Sequence, residues 1–413
     1  MVILGGSGLR RTFSPAGERP AFLGSRPLKK IHVGVVGCGF TGQQHLKAAA
    51  RLDCVDVVAI ADIDRGKAGD AAEQFKVHKV YPNADVLLRD PKVEAVVLAV
   101  PTAGRSQLAI DALNAGKHVL LEKPAAMNAG EIRAMMAVRG ELVCACCSAR
   151  YRLTEVARVA TEFVASGALG KLRLLRCRAA HGVGGPPKGP PPRWRVSRAI
   201  NGGGILVNWG TYDLDFLLGV TGWSFVPKEA LARIWKIAPH LSSHVAPDSD
   251  AESHFAALIQ CEGGRAITLE RGEFLAAADE DAWEIIGSHG SLQIDMTRVD
   301  GKWSVTHYWA APEKGLVSRV LWAATEAEAA RDDESLANGP LEDFIASIQV
   351  RCPPRTGLEQ ALIITQITDA IYASAQCGGA ATVGAPFGEP ATVPTAGAGR
   401  GRELTCDLVS SRP

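Results

Sequence analysis

The chain lacks any apolar run approaching the roughly 18 residues that a membrane-crossing helix needs, so no helical span is expected. It also lacks an excess of charge of either sign: 45 Lys and Arg oppose 44 Asp and Glu, leaving a net +1. Neither a nucleic acid nor a membrane surface is therefore indicated as a partner. Arg10-Arg11-Thr12-Phe13 faintly resembles a twin-arginine export signal, but Glu18 and Arg19 break up the adjoining stretch and no apolar h-region exists. The expectation is a soluble, cytoplasmic protein. Ten cysteines include Cys144, Cys146 and Cys147, crowded on one predicted strand. In a reducing compartment they read as buried free thiols. His32, His240, His244 and His254 form no convincing metal set, and no metal is expected.

What the chain does have is the run Val33-Gly34-Val35-Val36-Gly37-Cys38-Gly39-Phe40-Thr41-Gly42, a short apolar strand leading into Gly-x-Gly-x-x-Gly and a helical stretch from Gln43 to Leu52. The pattern predicts a dinucleotide site. Gly37 permits the tight turn, Gly39 lets the backbone approach a pyrophosphate, and Gly42 lets helix and strand pack closely. Backbone N–H groups at the helix start, around Phe40 and Thr41, would face the phosphates. With 43 glycines in 413 residues a lone match is weak, so the context decides. A second strand, Val55–Ala61, ends at Asp62, placed to accept hydrogen bonds from the adenosine ribose. That carboxylate favours NAD over NADP, although Arg65 could accommodate a 2′-phosphate.

Strand and helix patterns alternate to about residue 148. Val93–Val100 reads as a parallel strand buried on both faces and ended by Pro101; a helix from about Arg105 to Ala115, the strand Lys117–Leu121 and a further strand at 141–147 come next. Such alternation implies right-handed crossovers and ligands at the carboxyl ends of the strands, which puts Pro101, Thr102 and the Glu122-Lys123-Pro124 turn at the cofactor edge. After residue 150 the pattern changes: a helix Thr154–Ser166, a strand Leu172–Ala180, a Pro- and Gly-rich loop, an amphipathic helix through Leu218, and strand-like runs from Glu229 to His307. A long helix at about Leu358–Gln376 closes the fold. The expected class is α/β, with an N-terminal doubly wound parallel Rossmann sheet and a C-terminal α+β domain built on a mainly antiparallel sheet. The expected organisation is an extension at 1–28, an NAD(P)-binding domain at 29–150, a substrate-binding and oligomerisation domain at 151–380 and a tail at 381–413.

Several separated motifs together resemble the glucose-fructose oxidoreductase and inositol dehydrogenase (Gfo/Idh/MocA) family: Gly37 to Gly42, Ala115 to Pro124, Gly167 to Lys171, Trp194-Arg195, Gly202-Gly203-Gly204 and Ile286 to Leu292. The resemblance runs from about Ile31 to Ala380. It implies an NAD(P)-dependent oxidoreductase of sugars, cyclitols and their derivatives, a homodimer or homotetramer pairing through the open face of its C-terminal sheet. It also implies that Lys123 reaches the reacting hydroxyl, and a cis Lys123–Pro124 bond is expected. Oxidising a carbinol moves a hydride to the nicotinamide and a proton off the oxygen, and a desolvated lysine can take or relay that proton.

Many members carry an aspartate and, four residues later, a histidine on the helix after the triple glycine; here those positions are Asn208 and Tyr212. Tyr212 is expected to donate or relay a proton, its phenol made more acidic by a nearby ammonium. Asn208 can orient a hydroxyl but holds no charge. Asp215 is expected to serve a capping or salt-bridge role. Substrate contacts are expected from Tyr151, Arg152, His181, Trp194 and Arg195, an aromatic face and a guanidinium fork suited to a polyol ring or a carboxylated sugar; Arg193, Arg195 and Arg198 have the alternative of solubilising the loop. His45 and His118 are expected to pack. Two other readings stay open: redox-neutral glycoside cleavage by transient oxidation and elimination, and a catalytically silent NAD-binding regulator. Accumulation of reduced cofactor separates the first from a dehydrogenase, and retention of Lys123 argues against the second.

Overall fold

The computed structural model describes residues 29–189, 191–193, 196–296 and 303–385. The expected extension at 1–28, Trp194, Arg195 and the tail from 386 onward lie outside the described residues.

The first domain runs β1 (Ile31–Val36), α1 (Phe40–Ala49), β2 (Val55–Ala61), α2 (Arg65–Phe75), β3 (Val80–Tyr81), α3 (Ala84–Leu88), β4 (Ala95–Leu98), α4 (Arg105–Asn114), β5 (His118–Leu121), α5 (Ala129–Val138) and β6 (Cys144–Cys146). Its strands pair in parallel in the order β3-β2-β1-β4-β5-β6. The order reverses between β1 and β4. A crevice opens at such a switch point, and the glycine run after β1 lies on its rim. Val96, Val97 and Leu98 are fully buried, as a strand covered on both faces requires.

The second domain begins with α6 (Glu155–Ala165), whose N-cap Thr154 accepts from Ala157 N–H. Then come β7 (Leu172–Gly182), α7 (Arg198–Asn201), α8 (Thr211–Val220), β8 (Pro227–Trp235), β9 (His254–Cys261), β10 (Arg265–Leu275), β11 (Glu280–Gly287), β12 (Ser291–Asp295), β13 (Ser304–Ala311) and β14 (Gly315–Ala323). The chain finishes with α9 (Glu326–Val350), α10 (Leu358–Cys377) and β15 (Ala381–Thr382). The sheet order is β14-β13-β12-β11-β7-β10-β9-β8-β15, with β7 and β10 parallel and the other neighbours antiparallel. One face packs on helices through a core that includes Phe216, Leu217, Phe255, Ile285 and Ile367. The other presents Leu231, Trp235 and Leu258 outward.

The two domains are tied by the last two helices. Leu341, Phe344 and Ile345 of α9 join the core of Val33, Val35 and Leu120, so a late segment returns to cover the first sheet. Leu358 and Ala361 of α10 sit in the core with Leu121 and Cys146, whereas Ile364, Ile367 and Ile371 sit in the core of the second domain. A single helix thus belongs to both cores. Ala381 and Thr382, just past the boundary expected at 380, pair with β8 and belong to the sheet.

Candidate active site

At the cofactor edge, each glycine of the run has a separate reason. Gly37 has φ +93°, and a Cβ on Gly42 would overlap the carbonyl oxygen of Gly37, which sets how closely α1 approaches β1. A Cβ on Gly39 would meet nothing within 4 Å, so space is open in front of the helix start. No side chain caps α1, and its first turn contains no acidic residue. Among the described residues its first N–H groups therefore have no side-chain acceptor, which fits a pyrophosphate. Asp62 stands beside this turn: its Oδ2 accepts from Cys38 N–H at 2.6 Å and its Oδ1 from Asp64 N–H at 2.8 Å. The carboxylate is held rigidly at the end of β2, and each oxygen keeps a lone pair for a ribose hydroxyl. Residues 37–42 and Asp62 fit an NAD adenosine and its phosphates.

The Glu122-Lys123-Pro124 turn follows β5, and its Lys123–Pro124 peptide is cis. Glu122 is buried. Its Oε1 lies 2.9 Å from His45 Nε2 and its Oε2 accepts from Lys123 N–H at 3.1 Å. Burial alone would push this carboxyl up, but the His45 hydrogen bond and the charges of His45, Arg150 and Lys123 outweigh it and hold it far below the ordinary carboxylate range. Arg105, the first residue of α4, is buried behind the turn. It donates to Glu122 O at 2.6 Å, to Pro124 O, and twice to Val100 O, once through Nε at 3.1 Å. One guanidinium thereby joins the ends of β4 and β5 into a single platform.

From this platform Lys123 Nζ reaches across the domain interface. It donates to Asn208 Oδ1 at 2.7 Å and to Asn208 O at 2.8 Å, and lies 5.2 Å from the centroid of the Tyr212 ring. Asn208 sits in a π-helical turn, Leu206–Gly210, that runs into α8, so Asn208 and Tyr212 are brought to one side. The start of this segment is capped by buried Glu252: its Oε1 accepts from Gly204 N–H at 3.0 Å, Leu206 N–H at 3.1 Å and the Tyr372 hydroxyl at 2.9 Å. The triple glycine is a consequence of this packing. A Cβ on Gly203 would overlap the Tyr372 hydroxyl, and one on Gly204 would overlap the Glu252 carbonyl.

Tyr212 lines a cavity of about 490 Å³ shared with Tyr151, Trp209, His181, Asp281 and the Arg271–Asp213 pair. Arg271 donates to Asp213 through Nε at 2.7 Å and Nη2 at 2.8 Å, and Trp283 Nε1 donates to the same carboxylate at 3.0 Å. Tyr151 and Trp209 meet the Tyr212 ring edge-on, at 5.4 and 5.9 Å between centroids. Burial pushes the Tyr212 phenol well up, and the neighbouring Arg150 offsets this only in part. The expectation of a more acidic phenol is thereby corrected: desolvation exceeds the effect of nearby cations, and Tyr212 stays protonated at neutral pH.

Not every expected residue points into the cleft. Arg152 is committed elsewhere, with Nε 2.6 Å from Asp215 Oδ1 and Nη2 2.6 Å from Thr356 Oγ1, so the expectation of a substrate-binding guanidinium is corrected. Fully buried Asp215, which also accepts from Ser148 and Thr356, is the structural carboxylate expected. The Thr102 hydroxyl is buried and donates to Asn201 Oδ1 at 3.0 Å, bonding the cofactor edge to α7. Pro101 is exposed, as is Phe40. His118 Nδ1 accepts from Val143 N–H, whereas His45 does more than pack because it anchors Glu122. Cys144, Cys146 and Cys147 are buried and free, with the Cys146 thiol pushed up to about 11 by burial. Among the described residues, one three-residue group could offer metal ligands, His45, Glu122 and Cys147, but His45 and Glu122 already bond each other and the Arg150 guanidinium is 3.4 Å from Glu122.

A parallel crevice built for a dinucleotide, with a lysine bridging to a cavity of about 490 Å³ in the second domain, is the architecture of a nicotinamide-dependent oxidoreductase. Residues 31–148 match the model of the oxidoreductase family with an NAD-binding Rossmann fold, and residues 157–293 match the GFO/IDH/MocA C-terminal domain. The chain belongs to the GFO/IDH/MocA family of NAD-dependent oxidoreductases. Levoglucosan dehydrogenase of Pseudarthrobacter phenanthrenivorans is 27% identical over 217 residues, 50% of this chain and 55% of that enzyme, so the match spans about half the relative's length. Inositol 2-dehydrogenase of Rubrobacter xylanophilus is 30% identical over 276 residues, 64% of this chain and 72% of that enzyme. The solved structure of levoglucosan dehydrogenase with NADH and L-sorbose superposes with a TM-score of 0.74 at 21% identity, covering 86% of this chain and 99% of that one. This likeness establishes the shared fold.

The Arg105 platform carries a direct expectation. Arg105→Met would leave the carbonyls of Val100, Glu122 and Pro124 without their donor, at a cost of about 3 kcal/mol. Urea unfolding should show that loss; a change below about 0.5 kcal/mol, the scatter of ordinary surface substitutions, would contradict the clamp.

Proposed function

We propose that the protein is an NAD-dependent dehydrogenase that oxidises a carbinol of a sugar, cyclitol or sugar derivative in the cavity beside Tyr212. The observation that carries this reading is the seating of Lys123 Nζ on both oxygens of Asn208, 5.2 Å from the Tyr212 ring. NAD supplies the hydride acceptor when bound. The chain's own residues handle the substrate oxygen and its proton. Asn208 orients the Lys123 amine through neutral acceptors, and the ammonium form, which also faces the buried Glu122 carboxylate, stabilises an oxygen that becomes anionic. Tyr212, kept neutral by burial, accepts a hydrogen bond from the substrate hydroxyl and gives its own proton onward, so it relays the proton without ionising. Trp209, Trp283 and Tyr151 offer apolar faces for a ring, while Arg271, Asp213 and Asp281 offer polar edges. The relatives named for levoglucosan and inositol support this substrate class. Asp62 supports NAD rather than NADP, because a 2′-phosphate would meet its carboxylate.

The outward sheet face supports a homo-oligomer. Leu231 and Leu258 are opposite each other across β8 and β9 and are 48% and 40% exposed, and Trp235 on the same side is 46% exposed. Pairing of two such faces would cover them. Light scattering should give a dimer or tetramer that Leu231→Glu with Trp235→Glu dissociates; a monomeric unmodified protein would contradict the pairing.

The dehydrogenase reading is tested by assaying sugars, cyclitols and uronic acids with NAD and following reduced nicotinamide. At least one carbinol should give net reduction, and Lys123→Met should lower kcat by about a hundredfold or more. Full activity in that variant would remove Lys123 from the proposal. Asn208→Asp places a carboxylate against the ammonium and favours its protonated form, so the alkaline-active range should move up by about one pH unit. An unchanged pH–rate profile would contradict the coupling of the two residues.

A further inference from the structure

Each turnover of the proposed dehydrogenase releases one proton from the substrate hydroxyl, and Lys123, part-buried and already an ammonium in this reading, does not take it up. Tyr212 is buried, and Lys123 is anchored on Asn208. The proton therefore needs a group that both faces the cavity and reaches solvent. Among the described residues lining that cavity, one histidine is present, His181. It is the penultimate residue of β7, its side chain is 38% exposed, and its Nε2 lies 3.5 Å from Oδ1 of Asp281, whose side chain is only 3% exposed.

Strand register explains why the two meet. Ala179 of β7 is directly opposite Asp281 of β11 on one side and beside Arg271 of β10 on the other. Side chains alternate along a strand, so His181, two residues after Ala179, is on the same face as Ala179, diagonal to Asp281. That face is the floor of the cavity, which also carries Glu273 and Trp283. The charged and titratable groups around the imidazole are thus Asp281 from β11, Arg271 and Glu273 from β10, Asp213 and Tyr212 from α8, and Tyr151 from the segment before α6. Arg271 and Asp213 are bound to each other in a bidentate pair. Among the described residues, Asp281 is the carboxylate paired with the ring.

We infer that His181, oriented by Asp281, is the proton shuttle of the site: it accepts the proton that leaves the substrate hydroxyl by way of Tyr212 and delivers it to solvent. This rests on the dehydrogenase reading. The balance is simple: the substrate loses a hydride from carbon to NAD and a proton from oxygen, the proton resides on the imidazole while the Asp281 carboxylate steadies the imidazolium, and water or buffer then removes it. With the proton of the neutral ring on Nε2, which faces Asp281 at 3.5 Å, Nδ1 is the basic atom.

The experiment measures steady-state oxidation by the full chain, with NAD and the best carbinol of the panel, at low and high concentrations of imidazole buffer. For His181→Asn the expected result is a kcat lowered by roughly tenfold or more at low buffer with KM little changed, restored as imidazole rises. The unmodified protein should be insensitive to buffer. Asp281→Asn, which removes the carboxylate facing the ring, should also lower kcat at low buffer, with imidazole restoring it. Loss of activity in His181→Asn with no rescue by any buffer, or a change in KM alone, would overturn the shuttle and leave His181 as a substrate contact. Normal kcat at low buffer would overturn it outright. If the unmodified protein reduces no NAD with any carbinol, the redox reading itself falls and the shuttle with it; activity in the unmodified protein keeps the two failures distinct.

Discussion

The arrangement depends on one ammonium group held between two domains. Lys123 leaves a turn of the first domain and ends on both oxygens of Asn208 in the second, so neither half contains the site alone. The turn must be rigid for that contact to persist. Arg105 fastens its carbonyls from behind, and Glu122, held ionised in the protein interior by the His45 hydrogen bond and by the charges of Arg150 and Lys123, supplies the negative charge that faces those two cations. A buried carboxylate without such partners would be strongly destabilising. Here its cost is offset by three neighbours that are themselves positioned by α1, by the segment after β6 and by the turn.

Opposite the lysine, position is controlled by close packing rather than charge. Glu252 and Tyr372 press on the triple glycine so tightly that no side chain fits at Gly203 or Gly204, and the same carboxylate caps the helical segment that carries Asn208. Because Tyr372 belongs to α10, the helix shared by both cores also fixes the start of the asparagine-bearing segment. The Lys123–Asn208 spacing across the cleft is thereby built on the interface between the domains. The Thr102–Asn201 hydrogen bond adds a second tie at the cofactor edge.

Much of this is legible in the sequence, because glycine and proline requirements are local. The run from Gly37 to Gly42, the strand ending at Asp62 and the turn at Lys123–Pro124 stand where the patterns put them, and Val55–Ala61 matches the observed strand. Helix α1 starts at Phe40 rather than Gln43, since the glycine at its third position does not prevent helix formation. Helix α9 has a weak sequence signal because Gly339 and Pro340 interrupt it and its buried stripe, Leu341, Phe344 and Ile345, is short. Arg105 looks like an ordinary surface arginine and Arg152 like a substrate contact; only long-range packing reveals that one clamps the lysine turn and the other serves Asp215. Glu252 gives no signal beyond an acid in a loop. The Arg271–Asp213 and His181–Asp281 pairs are detectable in principle, because charged residues at the inward positions of alternating strands imply partners. The acidity expected for Tyr212 fails for a general reason: proximity to a cation is readable from motif spacing, but depth of burial is not.

The most direct measurement is a crystal structure of the protein with NAD bound. The account predicts that the pyrophosphate meets the N–H groups at the start of α1, that Asp62 binds the adenosine ribose, and that Lys123 Nζ and Tyr212 Oη both face the reacting edge of the nicotinamide. A lysine turned toward bulk water in that complex, or a nicotinamide ring placed away from Tyr212, would contradict it.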